Sequence, residues 1–357
     1  MTGVTAFFLF DVGEAINLDQ VRRVIQTTSP SRLASRSAMP AYVQYQQPPL
    51  AVGGDSVGIE GVAGFRLRFK IFDYGVVSVA LSRSLPDDWP ELIEAGLQVQ
   101  EDAALPAAAE ARCRAFASQI ASAITTPRDA YLTEDYFVFT VTASAGEPAE
   151  PLIEAHGDDI ARLLRVERDT LSRQERDEVL RHRLSYLAHD VVVPTWNAAF
   201  VYDTEAGAAS AIEILEFANS QLLEFRYYDE LLNTQLGDIY RQLQTPAWFK
   251  GWGGRRYTRA AQRVHSLFID VNTLTDRTEN ALKFVGEVYA ARLFALAAAR
   301  LGLDNWKASV REKLKTLDDI YRFAVEQTAM ARGEFLELAV VGILVFELVL
   351  FFIGIMK

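Results

Sequence analysis

The feature that most constrains this chain is an apolar run near its C-terminus, Leu338–Met356, which contains one charged residue, Glu347. As an α-helix of about 19 residues it would measure about 28 Å, which is enough to cross the hydrocarbon core of a bilayer. We therefore expect a transmembrane helix over residues 336–356 that anchors the protein to a membrane by its tail.

The residues ahead of this span predict the orientation of an anchored chain. The N-terminal apolar run breaks at Asp11 and has no basic residues before it, so it predicts a first strand rather than a signal peptide. Without a targeting segment, the bulk of the chain should stay on the cytoplasmic side. Arg332, just before the span, agrees with the preference of cytoplasmic flanks for positive charge.

Glu347 would lie near the middle of the span, where a carboxylate costs a few kcal/mol unless it is protonated or paired. Three interpretations stay open: a helix–helix contact in a homo-oligomer, a proton or ion pathway, and a neutral side chain without a role. Gly342 on a nearby turn favours the first, because small residues let helices approach closely. Gly342 and Glu347 are thus the predicted oligomer contact in the span.

Composition and motifs argue against common enzyme classes. A net charge of -11 over 357 residues disfavours broad wrapping of nucleic acid, and the single cysteine, Cys113, excludes an internal disulfide and paired-cysteine metal sites. The histidines lack metal-ligand spacing, and the glutamates of one long helix (Glu213, Glu216, Glu224 and Glu230) lack a partner histidine motif. We expect no metal, no cofactor, no small-molecule substrate and no catalytic residues.

The patterning predicts an α+β fold class. Alternating runs at Val4–Phe10, Phe65–Phe72 and Val76–Leu81 predict strands, the last two joined in a hairpin through Tyr74-Gly75. Ser172 and Glu175 have capping-box spacing and predict a short helix to about His182. The expected domains are an α+β domain at 1–145, a connecting segment with short strands at 152–206, a coiled-coil-like hairpin of long helices at 207–335, and the transmembrane helix at 336–356.

One local segment reverses the acidic charge of the chain. Between Asp238 and Asp270 there is no acidic residue, and the segment 248–263 combines aromatic and basic side chains. The candidate binding residues are Trp248, Lys250, Trp252, Arg255, Arg256, Arg259 and Arg263. They would suit the headgroups of an anionic membrane surface, and they would also suit the bases and phosphates of RNA. A solvated hairpin loop whose tryptophans pack on a neighbouring domain is the third interpretation.

Three stretches carry a resemblance to a known family: IFDYGVVSVA, VVVPTWNAAFVYD before a long helix, and the C-terminal helices that end in the apolar run. Over roughly Gly64–Leu81 and Leu184–Met356 they resemble the Required-for-meiotic-nuclear-division family of bacteria and mitochondria, a domain-of-unknown-function family. The matching positions are Tyr74, Gly75, Val76 and Val77 for its aromatic-Gly-Val strand pair, and Trp196, Tyr202 and Asp203 for its Trp and Tyr-Asp pair.

The resemblance implies a non-enzymatic, homo-oligomeric protein of an inner membrane, whose mitochondrial relatives support the translation of membrane proteins. The absence of a presequence favours a bacterial inner (cytoplasmic) membrane, with a single pass and a cytoplasmic N-terminal bulk. The leading expectation is thus a tail-anchored scaffold that presents its α+β domain at the cytoplasmic face. The alternatives are a membrane tether for ribosomes or RNA through residues 248–263, and an unrecognised enzyme using His189 and Asp190.

Overall fold

The computed structural model describes residues 2–28, 48–53, 64–143, 147–243, 269, 271 and 288–352. The strands are β1 (Thr2–Ile16), β2 (Leu50–Gly53), β3 (Arg66–Ile71), β4 (Val76–Leu85), β5 (Ile124–Thr142), β6 (Val191–Pro194) and β7 (Ala198–Asp203). The helices are α1 (Leu18–Thr28), α2 (Trp89–Glu101), α3 (Ala104–Gln119), α4 (Ala149–Arg165), α5 (Arg173–Arg181), α6 (Glu205–Leu243), α7 (Val288–Arg300) and α8 (Leu303–Phe352).

The described strands form one mixed sheet in the order β2-β3-β4-β1-β5-β7-β6. All neighbours run antiparallel except β5 and β7, which are parallel. The parallel pair requires a crossover, and the chain makes it through α4, α5 and the edge strand β6. The short strands of the predicted connecting segment therefore belong to the same sheet as β1–β5.

One face of the sheet is apolar because β1 alternates, and every second side chain points to that face. Phe8 and Phe10 of β1 pack there with Val79 of β4 and Phe139 of β5. Helices α1 to α5 contribute to the same core, with α2, α3 and α4 supplying Leu92, Leu97, Leu105, Phe116, Ile160 and Leu164. The predicted short helix α5 is confirmed, and its N-cap Ser172 accepts a hydrogen bond from the backbone N–H of Glu175.

The opposite face of the sheet carries buried polar residues, and α6 covers it. On β3 and β4 this face presents Arg68, Lys70 and Ser78, all of which contact carboxylates of α6. On its other side α6 packs against α7, where the rings of Phe217 and Phe294 lie 5.6 Å apart. The site described below lies between this sheet face and α6.

The chain divides into two compact units. The first comprises Met1–Tyr228 and Leu274–Lys307, and the second comprises Asp229–Thr273 and Ala308–Lys357. Within the second unit, Asp229 of α6 accepts hydrogen bonds of 2.6 Å from Ser309 Oγ and Lys313 Nζ of α8. Next to these contacts, Val310, Leu314 and Leu317 of α8 are buried.

The predicted transmembrane helix is contradicted. In the part of the chain that the structure describes, no helix combines the length and the apolar character needed to cross a membrane. The fold class ending in a transmembrane helix, the tail anchor and the single-pass inner-membrane localisation are therefore wrong.

Candidate functional site

The candidate site is a buried polar interface between the sheet and α6. The α6 residues that face the sheet are Glu213, Glu216, Ser220 and Tyr227, whose spacings of three, four and seven residues place them on one side of a helix. Each of them contacts a residue of β3, β4, β5 or the β3–β4 turn. All these residues belong to the first compact unit.

The first cluster is centred on Lys70 and Glu216, whose side chains are 1% and 0% exposed. Lys70 Nζ donates a 3.0 Å hydrogen bond to Glu216 Oε2 and also donates to Glu213. Ser78, directly opposite Lys70 in the β3–β4 register, donates to Glu216 Oε1 at 2.7 Å. Arg68 completes the cluster, with its two terminal nitrogens 3.1 Å from Glu216 and 3.3 Å from Glu213.

The charges of this Lys70 cluster balance, since two cations face two carboxylates. Burial alone would raise the pKa of Glu216, but the charges of Lys70 and Arg68 outweigh it and lower that pKa. Glu216 in turn raises the pKa of Arg68. Lys70 is therefore held as an ammonium group that donates hydrogen bonds. A nucleophilic lysine needs the neutral amine, so this arrangement does not activate Lys70 for covalent catalysis.

The β3–β4 turn forms the middle of the interface. The hydroxyl groups of Tyr74 and Ser220 lie 2.6 Å apart, and Ser220 also donates to the backbone carbonyl of Phe217. Gly75 makes this turn possible because its φ is 96°, and a Cβ there would lie 1.9 Å from the carbonyl oxygen of Gly13. Only glycine fits such a close backbone approach with positive φ.

The second cluster joins Asp11 of β1, Arg128 of β5 and Tyr227 of α6. Asp11 is fully buried, and Arg128 Nε donates to its Oδ1 at 2.7 Å. The guanidinium carbon of Arg128 lies 3.6 Å from the centre of the Tyr227 ring, as in a cation–π contact. Burial raises the pKa of Asp11 to about 6, although Arg128 opposes that shift.

The Lys70 cluster bonds both oxygens of Glu216, whereas Arg128 bonds one oxygen of Asp11. Buried ion pairs of this kind fix which partner groups face each other more than they add net stability. Across the described residues, no group of three or more His, Cys, Asp or Glu side chains could hold a metal ion. The chemistry that the described interface supports is therefore the positioning of α6 on the sheet.

The structure places the sequence-predicted residues as follows. The candidate binding residues Trp248, Lys250, Trp252, Arg255, Arg256, Arg259 and Arg263 lie outside the described residues, so their interpretation stays a prediction. Gly342 and Glu347 lie on an exposed stretch of α8, and their oligomer contact also stays a prediction. Asp190 accepts 2.7 Å hydrogen bonds from the backbone N–H groups of Tyr186 and Leu187, so its carboxylate fixes a loop.

The sequence interpretation missed the residues that form the interface on the sheet. Arg68 and Lys70 alternate with apolar residues in β3, which is the pattern of a solvated outer face. In sequence, the recurring glutamates of α6 resemble the carboxylate pattern of a metal site. The sequence does contain a signal of charge pairing. Arg68 and Lys70 lie on one face of β3, and Glu213 and Glu216 lie about one turn apart on α6, so the two pairs are complementary.

Comparison with known proteins places the chain in a family. A family model described as "Uncharacterized protein MJ0711, N-terminal domain" matches residues 1–209, which is more than half of the chain. The chain belongs to the MJ0711 N-terminal domain family. Uncharacterized protein MJ0711 of Methanocaldococcus jannaschii is 21% identical over 201 residues, covering 56% of this chain and 61% of that relative. No solved structure matches the chain significantly.

Membership of the MJ0711 family corrects the resemblance drawn from the sequence. The Required-for-meiotic-nuclear-division family is not the family that matches, so that interpretation is wrong. The MJ0711 match covers all the described strands and ends in the first turns of α6. It therefore includes Lys70, Ser78, Asp11 and Arg128, whereas their α6 partners lie beyond its last residue.

Proposed function

We propose that the protein is a non-enzymatic scaffold that self-associates through the apolar end of α8, defined as Val340–Val349. The observation that supports this proposal is the exposure of eight large apolar side chains in that stretch, at 45–63% each. They are Val340, Val341, Ile343, Leu344, Val345, Phe346, Leu348 and Val349. A contiguous exposed apolar surface usually marks an interaction site.

The distribution of these side chains favours further copies of the chain as the partner. Every residue from 340 to 349 is exposed and Glu347 is the one charged residue among them, so the apolar surface runs around most of the helix rather than along one stripe. A helix that is apolar all round must be covered on several sides, which a bundle of identical helices achieves. Complete burial of a large apolar side chain contributes about 1.5–3 kcal/mol, and burial of the exposed part of these side chains is the driving force for association.

The buried interface supports a scaffold role for the first unit. Lys70 is held as an ammonium group and both oxygens of Glu216 are hydrogen-bonded, so these groups stabilise α6 on the sheet rather than act on a substrate. The proposed assembly is then a set of rigid α+β units joined through α8. Neither a substrate nor a cofactor is part of this proposal.

The experiment measures the mass of the full-length chain by sedimentation equilibrium or light scattering. We expect the wild type to have the mass of three or more copies. Val341→Glu combined with Val345→Glu should have the mass of one copy, because the two introduced carboxylates would have to be buried in the bundle. Ala308→Glu, at an exposed position of the same helix, is the matched control and should leave the mass unchanged.

Three outcomes would contradict the proposal. The first is a wild-type chain that stays monomeric at micromolar concentration. The second is a variant with the wild-type mass. The third is a single-copy chain that co-sediments with lipid vesicles, which would show that the apolar end of α8 is covered by something other than its own copies.

A further inference from the structure

The Asp11 cluster differs from the Lys70 cluster in the hydrogen bonds that its buried carboxylate accepts. Both oxygens of Glu216 are hydrogen-bonded, and two cations face it. Asp11 is also fully buried, but only its Oδ1 is bonded; Oδ2 has no hydrogen-bond partner in the described part of the chain. A buried carboxylate in this state is costly when ionised and much less so when protonated.

Within the described residues, the partners of the Asp11 carboxyl group are Arg128 and the backbone N–H of Gly13. The β1–β5 register shifts between Asp11 and Gly13, and the cross-strand neighbours of Asp11 are the apolar residues Val76 and Leu132. On β5, Thr126 has a φ of 47°, a conformation that costs energy for a β-branched residue. The bulge therefore holds the carboxylate inside the sheet face under α6.

Arg128 connects this carboxylate to α6. Its Nε donates to Asp11, its Nη2 lies 3.4 Å from the carbonyl oxygen of Gly13, and its guanidinium stacks on the ring of Tyr227. Tyr227 is next to Tyr228, the last α6 residue of the first compact unit. A neighbouring contact, Arg226 to Glu134, secures the same turn of α6 to β5.

We propose that Asp11, Arg128 and Tyr227 form a proton-sensitive latch, in which the protonated carboxyl holds residues 224–228 of α6 more tightly on the sheet than the ionised carboxylate does. The ionised form gains stability when water reaches Oδ2, and separation of this turn of α6 from the sheet would admit that water. The neutral form has no such requirement, and Arg128 keeps its contact with the Tyr227 ring.

Other titratable groups also lie near the cluster or the same turn of α6. Tyr227 interacts with Arg128, Asp11 and Glu224, and Arg226 interacts with Glu134 and Asp135. Glu14 accepts a hydrogen bond from Thr126, and Glu134 is paired with Arg226. Arg128 is the one cation bonded to Asp11 within the described residues.

The sign of the pH effect follows from linkage. The pKa of Asp11 is raised from 3.8 to about 6 by burial, so the closed state binds this proton more tightly than an open, hydrated state does. Acidification from pH 7.5 to pH 5 therefore favours the closed latch. If the pKa of Asp11 is about 6 in the closed state and about 4 in the open state, the equilibrium constant for opening should fall about tenfold between pH 7.5 and pH 5.

The experiment is hydrogen exchange of the full-length chain, measured by mass spectrometry at pH 5.0 and pH 7.5 and corrected for the intrinsic exchange rate at each pH. We expect the peptide covering residues 220–228 to be about tenfold better protected at pH 5.0 in the wild type. In Asp11→Asn this pH dependence should disappear. Asp129→Asn, an exposed carboxylate one residue beyond Arg128, is the matched control and should behave as the wild type does.

A second measurement covers the case in which Asp11→Asn does not fold. The Asp11 carboxyl carbon of the wild type is titrated by NMR, and we expect a midpoint well above the ordinary range. A midpoint at or below 4 would overturn the proposal, as would protection of residues 220–228 that rises with pH. Equal pH dependence in the wild type and in a folded Asp11→Asn would overturn it as well.

Discussion

Removal of Lys70 tests whether the buried charges hold α6 as the structure indicates. Lys70→Met keeps most of the side-chain volume but leaves Glu213 and Glu216 with Arg68 as the remaining bonded cation of the cluster. Breaking a buried ion pair by removing one partner costs about 3–5 kcal/mol, because the other charge stays buried and underpaired. We expect the free energy of unfolding of Lys70→Met to fall by about that amount.

The double variant separates a charge effect from a packing effect. Glu216→Leu alone leaves two cations against one carboxylate and should cost a similar ~3–5 kcal/mol. Lys70→Met combined with Glu216→Leu leaves one cation, Arg68, and one carboxylate, Glu213, so the charges balance again. The double variant should therefore lose less than about 3 kcal/mol, well below the sum of the single losses.

Equilibrium unfolding in urea, followed by circular dichroism, measures these differences. With a denaturant slope of about 2–3 kcal/mol per molar, the single variants should lower the urea midpoint by about 1–2.5 M. Lys315→Met, at an exposed position of α8, makes the same chemical change and should stay within about 0.5 kcal/mol of the wild type. Additive losses in the double variant, or a Lys70→Met loss below about 1 kcal/mol, would refute the role assigned to the cluster.

Two further predictions concern the same interface. Gly75→Ala should destabilise the first unit by more than about 2 kcal/mol in thermal unfolding, because φ is positive and the new Cβ would clash with Gly13. The control is Gly237→Ala, at a helical position of α6 with no atom near the new Cβ. This variant should be as stable as the wild type or slightly more stable in the same experiment. The pKa of Glu216 is lowered below its ordinary 4.5, so its contribution to stability is present above that value and is lost as the pH falls below it. In urea unfolding, the wild type should have a lower free energy of unfolding at pH 3 than at pH 6. The decrease should be smaller for Lys70→Met combined with Glu216→Leu.

The parts of the fold that the sequence predicted are those set by local chemistry. The hairpin of β3 and β4 follows from alternating apolar residues around Tyr74-Gly75, and α5 follows from the capping spacing of Ser172 and Glu175. Both depend on residues a few positions apart, where turn geometry and capping decide the conformation. The position of β7 between β5 and β6 depends on a crossover, and no local pattern specifies it.

The candidate site could not be predicted in the same way because its partners are far apart in sequence. Lys70 and Glu216 are separated by 146 residues, and Asp11 and Arg128 by 117. Alternation in β3 correctly puts Arg68 and Lys70 on the face away from the apolar core, but it cannot show whether water or another helix covers that face. That answer depends on α6, whose glutamates at 213 and 216 complement Arg68 and Lys70 but stand in a helix with a broad apolar surface.

Charged residues at the interface fix the register of α6 on the sheet more strictly than apolar residues would. An entirely apolar row at helical spacing would tolerate a slip of one turn, about 5.4 Å, along the sheet. A slip of four residues toward the C-terminus of α6 would put Phe217 and Ser220 in the places of Glu213 and Glu216, and a slip of three would keep one carboxylate there, Glu216. The carboxylates at 213 and 216 thus restrict α6 to one register on the sheet.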